Sequence, residues 1–440
     1  MQRLHLVLWT LSLASLTFLA ACGPRVDGTG AEASSTLPPA ASLVSAGPVK
    51  TGAAVLAEEN FRRFAGKRVG LIVNHTAMVD SVHLIDLFYN APNVKLTALF
   101  GPEHGIRGQA AAGAKVGSGR DEKTGVPIYS LYGDTRKPTP EMLRDVDVLV
   151  FDIQDVGARF YTYISTMGLA MQAAAEKGIP FVVLDRPNPI GGVRVEGFLM
   201  QPEFESFVGE YPIPVTHGMT VGELARMIKG ERMLPGLENL QLQVVQMTGW
   251  KRSMLWPETG LPWIPPSPNI PDFQTALVYP GAAFFEATSA SEGRGTRTPF
   301  LNLGAPWADG QALADELNSR KLPGVRFEAA TFTPHSIPGM AVNPKLEGQT
   351  VQGIRYVVTD PETFDPVAVG VHVLHAFYHQ APPGERNDFI SRPEWLAKLS
   401  GSTRLYDMLT SDAAPEAIVA AWEEDVTTFR RQRERYLLYE

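Results

Sequence analysis

Residues 147–192, "DVLVFDIQDVGARFYTYISTMGLAMQAAAEKGIPFVVLDRPNPIGG", decide the fold class. "DVLVFD" (147–152) and "PFVVLD" (180–185) are continuous apolar runs, and "ARFYTYISTMGLAMQAAAEKG" between them predicts a helix that stops at Gly178. Apolar runs joined by a helix belong to parallel strands covered on both faces. The same rhythm runs upstream. "KRVGLIV" (67–73) and "VKLTALF" (94–100) read as strands, with helices over "SVHLIDLFYN" (81–90) and "TPEMLRDV" (139–146). Downstream, Thr220 and Glu223 form a capping box in "TVGELARMI", and "LQLQVVQM" (240–247) is a further strand.

The Pro-rich passage "GLPWIPPSPNIPDF" (260–273) fits neither period and marks a boundary. Beyond it, a helix over "ADGQALADELNSRKL", strands near 325–332 and 351–359, and an amphipathic helix from about Pro415 predict a second α/β unit. The expected fold is α/β: a Rossmann-like open parallel sheet domain over 51–274, then a smaller α/β C-terminal domain over 275–440.

The first 21 residues read as an export leader. Arg3 precedes an apolar stretch from Leu6 to Ala21, which is short of the ~20 residues a spanning helix needs. It ends in Leu19-Ala20-Ala21-Cys22, which resembles a bacterial lipobox, and Cys22 is the single cysteine of the chain. An exported chain that otherwise avoids thiols keeps one where lipidation requires it. The expectation is cleavage before Cys22, acylation there, and a membrane anchor, the alternative being an ordinary cleaved signal with A-x-A-like spacing and a secreted chain. Gly23 rather than Asp at the next position points to the outer membrane, facing the periplasm. Residues 22–50 are small, Pro-containing and aperiodic, a tether spanning about 30 Å if flexible. Beyond this anchor no membrane partner is expected.

A formal charge of −8 over 440 residues argues against a nucleic-acid partner, which would call for a basic stripe. Any anionic ligand must be met by locally placed Arg or Lys. No cofactor is expected: "GIRGQAAAG" is not G-x-G-x-x-G, and neither a phosphate-binding P-loop nor a G-x-S-x-G nucleophile elbow occurs. His and Cys do not fall at zinc spacings, so no metal is expected either.

Polar residues gather where ligands bind in open α/β sheets, just past the carboxyl ends of the strands. Asn74 and His75 follow the first run, and Glu103, His104 and Arg107 follow the second. Asp152 and Asp155 end the third, with Arg159 and Tyr163 a turn or two on; Asp185, Arg186 and Asn188 end the fourth. Glu103 and His104 sit in a glycine-rich loop, where backbone can approach a ligand and a desolvated Glu makes a general acid. Past the boundary, "FFEATSASEGRGTRTPF" carries Glu286, Glu292 and Arg294, the Arg between two glycines and able to fork onto a carboxylate. Each cluster also has a plain structural reading: a cap for Asp155, an internal Asp–Arg pair for 185–186, a Glu–Arg pair for the last loop. Trp256, Trp263 and Phe273 could stack on a sugar face or pack in the core.

The series "VGLIVNHTA", "ALFGPEHGIRG", "GVPIYSLYG", "DVLVFDIQDVGARFYTYISTM", "VVLDRPNPIGG", "PSPNIP", "SEGRGT" and "GAPW" resembles the NamZ family of exo-β-N-acetylmuramidases, from about residue 52 to "RERYLLYE". The resemblance implies a Rossmann-like domain, a smaller C-terminal domain and a cleft between them. It implies release of non-reducing terminal N-acetylmuramic acid from peptidoglycan fragments, with the catalytic glutamate of the P-E-H-G stretch at Glu103. "FEATSASEGRGT" departs from the usual "FEGTNxSEGRGT" at Ala287 and at Ser289-Ala290, which bears on substrate preference rather than on the reaction.

Glycoside hydrolysis needs an acid and usually a second carboxylate. Glu103 is the expected acid with His104 beside it. Asp152, Asp155, Glu286 and Glu292 compete for the second role, which the substrate's own acetamido group could also fill. The lactyl carboxylate of muramic acid needs a cation, Arg294 first and Arg159 second. The contrasting expectation is a lipid-anchored peptidoglycan-binding protein without turnover. An esterase or amidase is disfavoured by the missing nucleophile motif.

Overall fold

Six parallel strands lie in the order that defines a doubly wound sheet. The computed structural model describes residues 48–103, 105–106 and 119–440; the leader, Cys22, most of the tether, His104 and Arg107 lie outside the described residues. In chain order the first elements are α1 (Gly52–Glu58), β1 (Arg68–Val73), the small hairpin β2 (Met78–Val79) and β3 (Val82–His83), and α2 (Leu84–Asn90). Then come β4 (Lys95–Gly101), β5 (Gly119–Arg120), β6 (Pro127–Ser130), β7 (Val148–Asp152), α3 (Tyr163–Lys177), β8 (Phe181–Leu184), α4 (Val221–Gly230) and β9 (Leu242–Val245). The sheet order is β5-β6-β4-β1-β7-β8-β9, antiparallel only at the β5 edge. Counting parallel strands alone gives 3-2-1-4-5-6, the Rossmann order, with its switch point between β1 and β7.

The strands owe their interior place to composition. Every residue of β7 and β8 is buried, and Phe100, Phe151 and Phe181 are fully enclosed. Each such ring contributes about 1.5–3 kcal/mol relative to exposure. α3 stops where the sequence said, at Gly178 with φ 72°, but it starts at Tyr163 rather than at 158. The capping box of α4 forms as expected, Thr220 accepting from Glu223 N and Glu223 from Thr220 N.

Two helix expectations need correction. Residues 139–146 are a run of turns, with Thr139 O accepting from Leu143 N and Leu143 O from Val146 N. Eight residues cannot offset the cost of helix nucleation by themselves, and burying Leu143 and Val146 needs only turns. The terminal helix from Pro415 is two helices, Pro415–Ala420 and Glu423–Arg433.

After the Pro-rich passage, α5 (Phe273–Ala282) is a helix without a clear sequence period, because Pro280 and Gly281 interrupt it. The smaller sheet is antiparallel, β10 (Asn302–Ala305), β12 (Val351–Val358) and β11 (Val325–Phe332), with β12 central. It is flanked by α6 (Gly310–Ser319) and α7 (Pro366–Gln380). Gly281 is where α5 meets α7: a Cβ there would sit 2.0 Å from Pro366 O. Short helices α8 (Pro383–Phe389) and α9 (Pro393–Ser400) follow. The chain then returns to the large sheet: Leu438 N donates to Glu223 Oε1, Tyr439 OH to Asp185 Oδ2 at 2.6 Å, and Arg252 N to Glu440 O. Among the described residues no helix is long and apolar enough to cross a membrane.

Candidate active site

The carboxyl edge of the large sheet divides into two parts with opposite character. At the ends of β1, β7 and β8 the polar residues bond mainly to one another. Asn74 Oδ1 accepts from Thr76 N and Oγ1, and Thr76 Oγ1 accepts from Gln154 N. Asp152, fully buried, takes Arg186 in a two-pronged pair, Nε to Oδ1 at 2.5 Å and Nη2 to Oδ2 at 2.9 Å. Asp185 accepts from Thr220, Tyr439, Gly222 N and Arg186 N, and burial pushes it up to about 7. Asn188 spans its own turn, to Ile190 N and Met219 O. Asp152, Asp185, Arg186 and Asn188 are therefore the frame of the rim. Asp152 in particular leaves the catalytic set, because both its oxygens hold one guanidinium.

The second part is open. The end of β4, the 131–147 loop, the start of α3, the Pro-rich strap, α5 and α9 enclose a cavity of about 450 Å³. Glu103 lines it, half-buried, with Thr162 Oγ1 3.5 Å from its Oε2. The Tyr132 hydroxyl also faces Glu103; desolvation first, and then that carboxylate, pushes its titration up to about 12. Phe160, Tyr161, Tyr163 and Tyr279 form an aromatic wall of edge-to-face contacts, with Tyr161 and Tyr163 centroids 5.0 Å apart. Burial raises Tyr161, Tyr163 and Tyr279 above the ordinary phenol range, so they line the cavity as neutral hydroxyls.

Glu286 lines the same cavity from the other side. Arg294 Nη2 holds its Oε1 at 2.7 Å, and Trp395 Nε1 lies 3.4 Å from its Oε2. Arg294 can reach in because Gly293 and Gly295 both take positive φ, 78° and 81°, where a Cβ would strike Asn302 O and Pro344 Cγ, each at 2.6 Å. The guanidinium rides over the Phe300 ring at 5.1 Å. Its charge is fixed by Glu286 and Glu292 together, although burial opposes it.

Of the residues singled out in the sequence, Glu103, Tyr163, Glu286 and Arg294 line the cavity. Glu292 does not; it sits behind Arg294, paired to it at 3.5 Å and to Lys345 at 2.8 Å. Arg159 is wholly buried, its guanidinium donating to the Phe198, Ile213 and Leu399 carbonyls, and desolvation draws it down to about 9. It cannot meet a substrate carboxylate. Asp155 lies beneath the tyrosine wall, its Oδ2 accepting from Gly157 N at 2.7 Å, and burial lifts it to about 7. His75 fixes the strap through Nε2 and Pro265 O at 2.6 Å, and Tyr163 OH does the same to Pro266 O at 2.7 Å. Trp256 packs edge-on against Trp263 beside a second cavity of about 510 Å³, and neither they nor Phe273 line the first.

Sequence reasoning missed Tyr132, Arg136, Thr162, Phe207, Ser267, Asn269, Tyr279, Trp395 and Lys398. Tyr132, Thr162, Ser267 and Asn269 carried a signal, since they stand in the "GVPIYSLYG", "DVLVFDIQDVGARFYTYISTM" and "PSPNIP" strings. The others come from loops and helices far apart in the chain. Among the described residues no group of three or more His, Cys, Asp and Glu could hold a metal ion.

Two family models account for the chain from the first strand to the tail: "Exo-beta-N-acetylmuramidase NamZ, N-terminal" over 69–274 and "Exo-beta-N-acetylmuramidase NamZ, C-terminal" over 277–439. The chain belongs to the NamZ family. A curated NamZ relative, the peptidoglycan beta-N-acetylmuramidase of Bacillus subtilis strain 168, is 46% identical over 392 residues, 89% of this chain and 91% of its own length. Two crystal structures of DUF1343 family proteins from Bacteroides fragilis share this NamZ architecture. One is 41% identical with a TM-score of 0.82, the other 33% identical with a TM-score of 0.71; each covers 89% of this chain and 99% of the solved one.

Proposed function

We propose that this chain is an exo-acting glycoside hydrolase that releases non-reducing terminal N-acetylmuramic acid from peptidoglycan fragments, a reading supported by the exo-beta-N-acetylmuramidase family models and by a relative named as a peptidoglycan beta-N-acetylmuramidase. The observation that carries the reading is the meeting of Glu103 and Glu286 on one aromatic-walled cavity in a chain that matches both halves of the family. Glu103 is the acid that protonates the leaving oxygen. Thr162 and the Tyr132 hydroxyl keep its carboxyl turned toward the cavity. Glu286, held by Arg294, is the second carboxylate and opposes the positive charge that develops at the anomeric carbon. The hydroxyl-bearing ring wall offers an apolar face for the sugar and excludes water.

The cell-surface half of the reading rests on Leu19-Ala20-Ala21-Cys22. The chain is exported and acylated at Cys22, and it is tethered to the outer membrane facing the periplasm, where wall fragments pass. Labelled palmitate would enter the wild type and be lost from Cys22→Ser; equal labelling of both overturns the anchor.

The catalytic reading is tested with a chromogenic β-glycoside of N-acetylmuramic acid. Wild type releases the aglycone and Glu103→Gln does not. Binding of the glycoside without release would instead support a non-catalytic wall-binding protein.

A further inference from the structure

The cavity that holds Glu103 and Glu286 carries an excess of positive charge in a chain of net charge −8. Among the described residues that line it, three cations (Arg136, Arg294, Lys398) face two carboxylates. Arg294 is already engaged by Glu286 and Glu292. Lys398 and Arg136 are different: neither has an ion pair or a side-chain hydrogen bond among the described residues. Their places are informative. Lys398 lies on α9 three residues after Trp395, hence on the same helix face, and Trp395 is the residue whose indole reaches Glu286. Arg136 comes from the loop that also supplies Tyr132, beside Glu103, and its guanidinium is stacked at 4.5 Å over Phe207, another lining residue. Glu210 feels the charge of Arg136 but makes no ion pair with it and does not line the cavity.

We propose that Lys398 and Arg136 form the subsite that reads the lactyl carboxylate of the substrate, and so select muramic acid over its unsubstituted hexosamine counterpart. The inference rests on the muramidase reading above and names the residues that give it selectivity. Arg294, the cation favoured by sequence, instead positions Glu286 through the single Nη2–Oε1 bond. Cations stacked on or flanked by aromatic rings and lacking internal anions keep their hydrogen-bond donors for a ligand, and a carboxylate takes two at once. A neutral acetamido sugar offers that pair no anion.

The test compares the aryl β-glycoside of N-acetylmuramic acid with its lactyl methyl ester, which removes the charge and keeps the rest of the sugar. Wild type is expected to favour the acid. In Lys398→Met and Arg136→Met, kcat/KM for the acid falls about 10- to 100-fold, chiefly through KM, as for loss of a hydrogen bond to a charged group. The ester changes far less, so the preference collapses, and Lys398→Arg restores most of it. Lys398 is half-buried with no ion pair or side-chain hydrogen bond among the described residues, so its truncation is expected to leave the melting temperature near wild type. Wild type that turns over acid and ester equally, or a double variant that keeps the preference, overturns the subsite while leaving the muramidase reading intact. Wild type that releases neither sugar overturns that reading itself.

Discussion

Asp152–Arg186 and Glu286–Arg294 are both carboxylate–guanidinium pairs, and they teach different lessons. The first is closed: side chains 0% and 6% exposed, two-pronged, at the switch point where Rossmann sheets hold their ligands. The second is open: 18% and 27% exposed, single-pronged, with the remaining Glu286 oxygen toward Trp395 and the cavity. The site has moved away from the switch point to the end of β4 and across to α5 and α9. The switch point itself has become scaffold.

That contrast can be broken at either end. The largest effect belongs to the open side. Glu103→Gln lowers turnover of the muramic acid glycoside by about 10²- to 10⁴-fold, the range for a lost general acid, with unfolding unchanged. A stability loss equal to that of a rim mutation would erase the distinction. On the closed side Asp152→Asn leaves Arg186 buried without its anion and costs about 3–5 kcal/mol in chemical denaturation. The folded fraction keeps its kcat, whereas a kcat loss as deep as that of Glu103→Gln would return Asp152 to the catalytic set. Arg159→Met strands the Phe198, Ile213 and Leu399 carbonyls, about 1–3 kcal/mol for a buried acceptor, while KM for the acid substrate stays put. A selective rise in that KM would show that the residue reaches the ligand after all.

The smallest effect is a pH slope. Asp155 and Asp185 are raised to about 7 and Glu196 to about 8, each mainly by desolvation. A carboxyl raised on folding binds more protons in the native state, so its stabilisation is present at low pH and lost as pH climbs through the folded value. Buried His217, lowered to about 3 by desolvation, works oppositely: its contribution is present above the unfolded value near 6.5 and fades below it. The two effects oppose each other in mild acid, and the carboxyls act alone above about pH 6.5. Melting temperature should therefore fall between about pH 6.5 and about pH 8.5. Glu196→Gln, whose amide oxygen can still accept from Val367 N and Ala368 N, should flatten that limb. An equally steep limb in the variant would place its origin elsewhere.

The fold was legible because buried parallel strands are local text: "DVLVFD" and "PFVVLD" state their own burial, and Gly178 states where α3 ends. Asp152 misled for a physical reason. A carboxylate at a strand end looks the same in sequence whether it meets a ligand or an arginine 34 residues away. Glu103 and Glu286 were each visible beside glycines or in a glycine-bearing loop, but their convergence needs the whole chain to close. Lys398 had no local signature at all. On a short amphipathic helix an unpaired lysine reads as solvent decoration, and only the cavity beneath it says otherwise.

The tail contacts make the last residues a clasp on the large sheet. Tyr439 follows Asp185 by 254 positions and Leu438 follows Glu223 by 215. The hydrogen bonding of two buried carboxyls is therefore completed only by residues at the far end of the chain. Removing those few residues would leave each carboxyl short of a donor it has in the native fold.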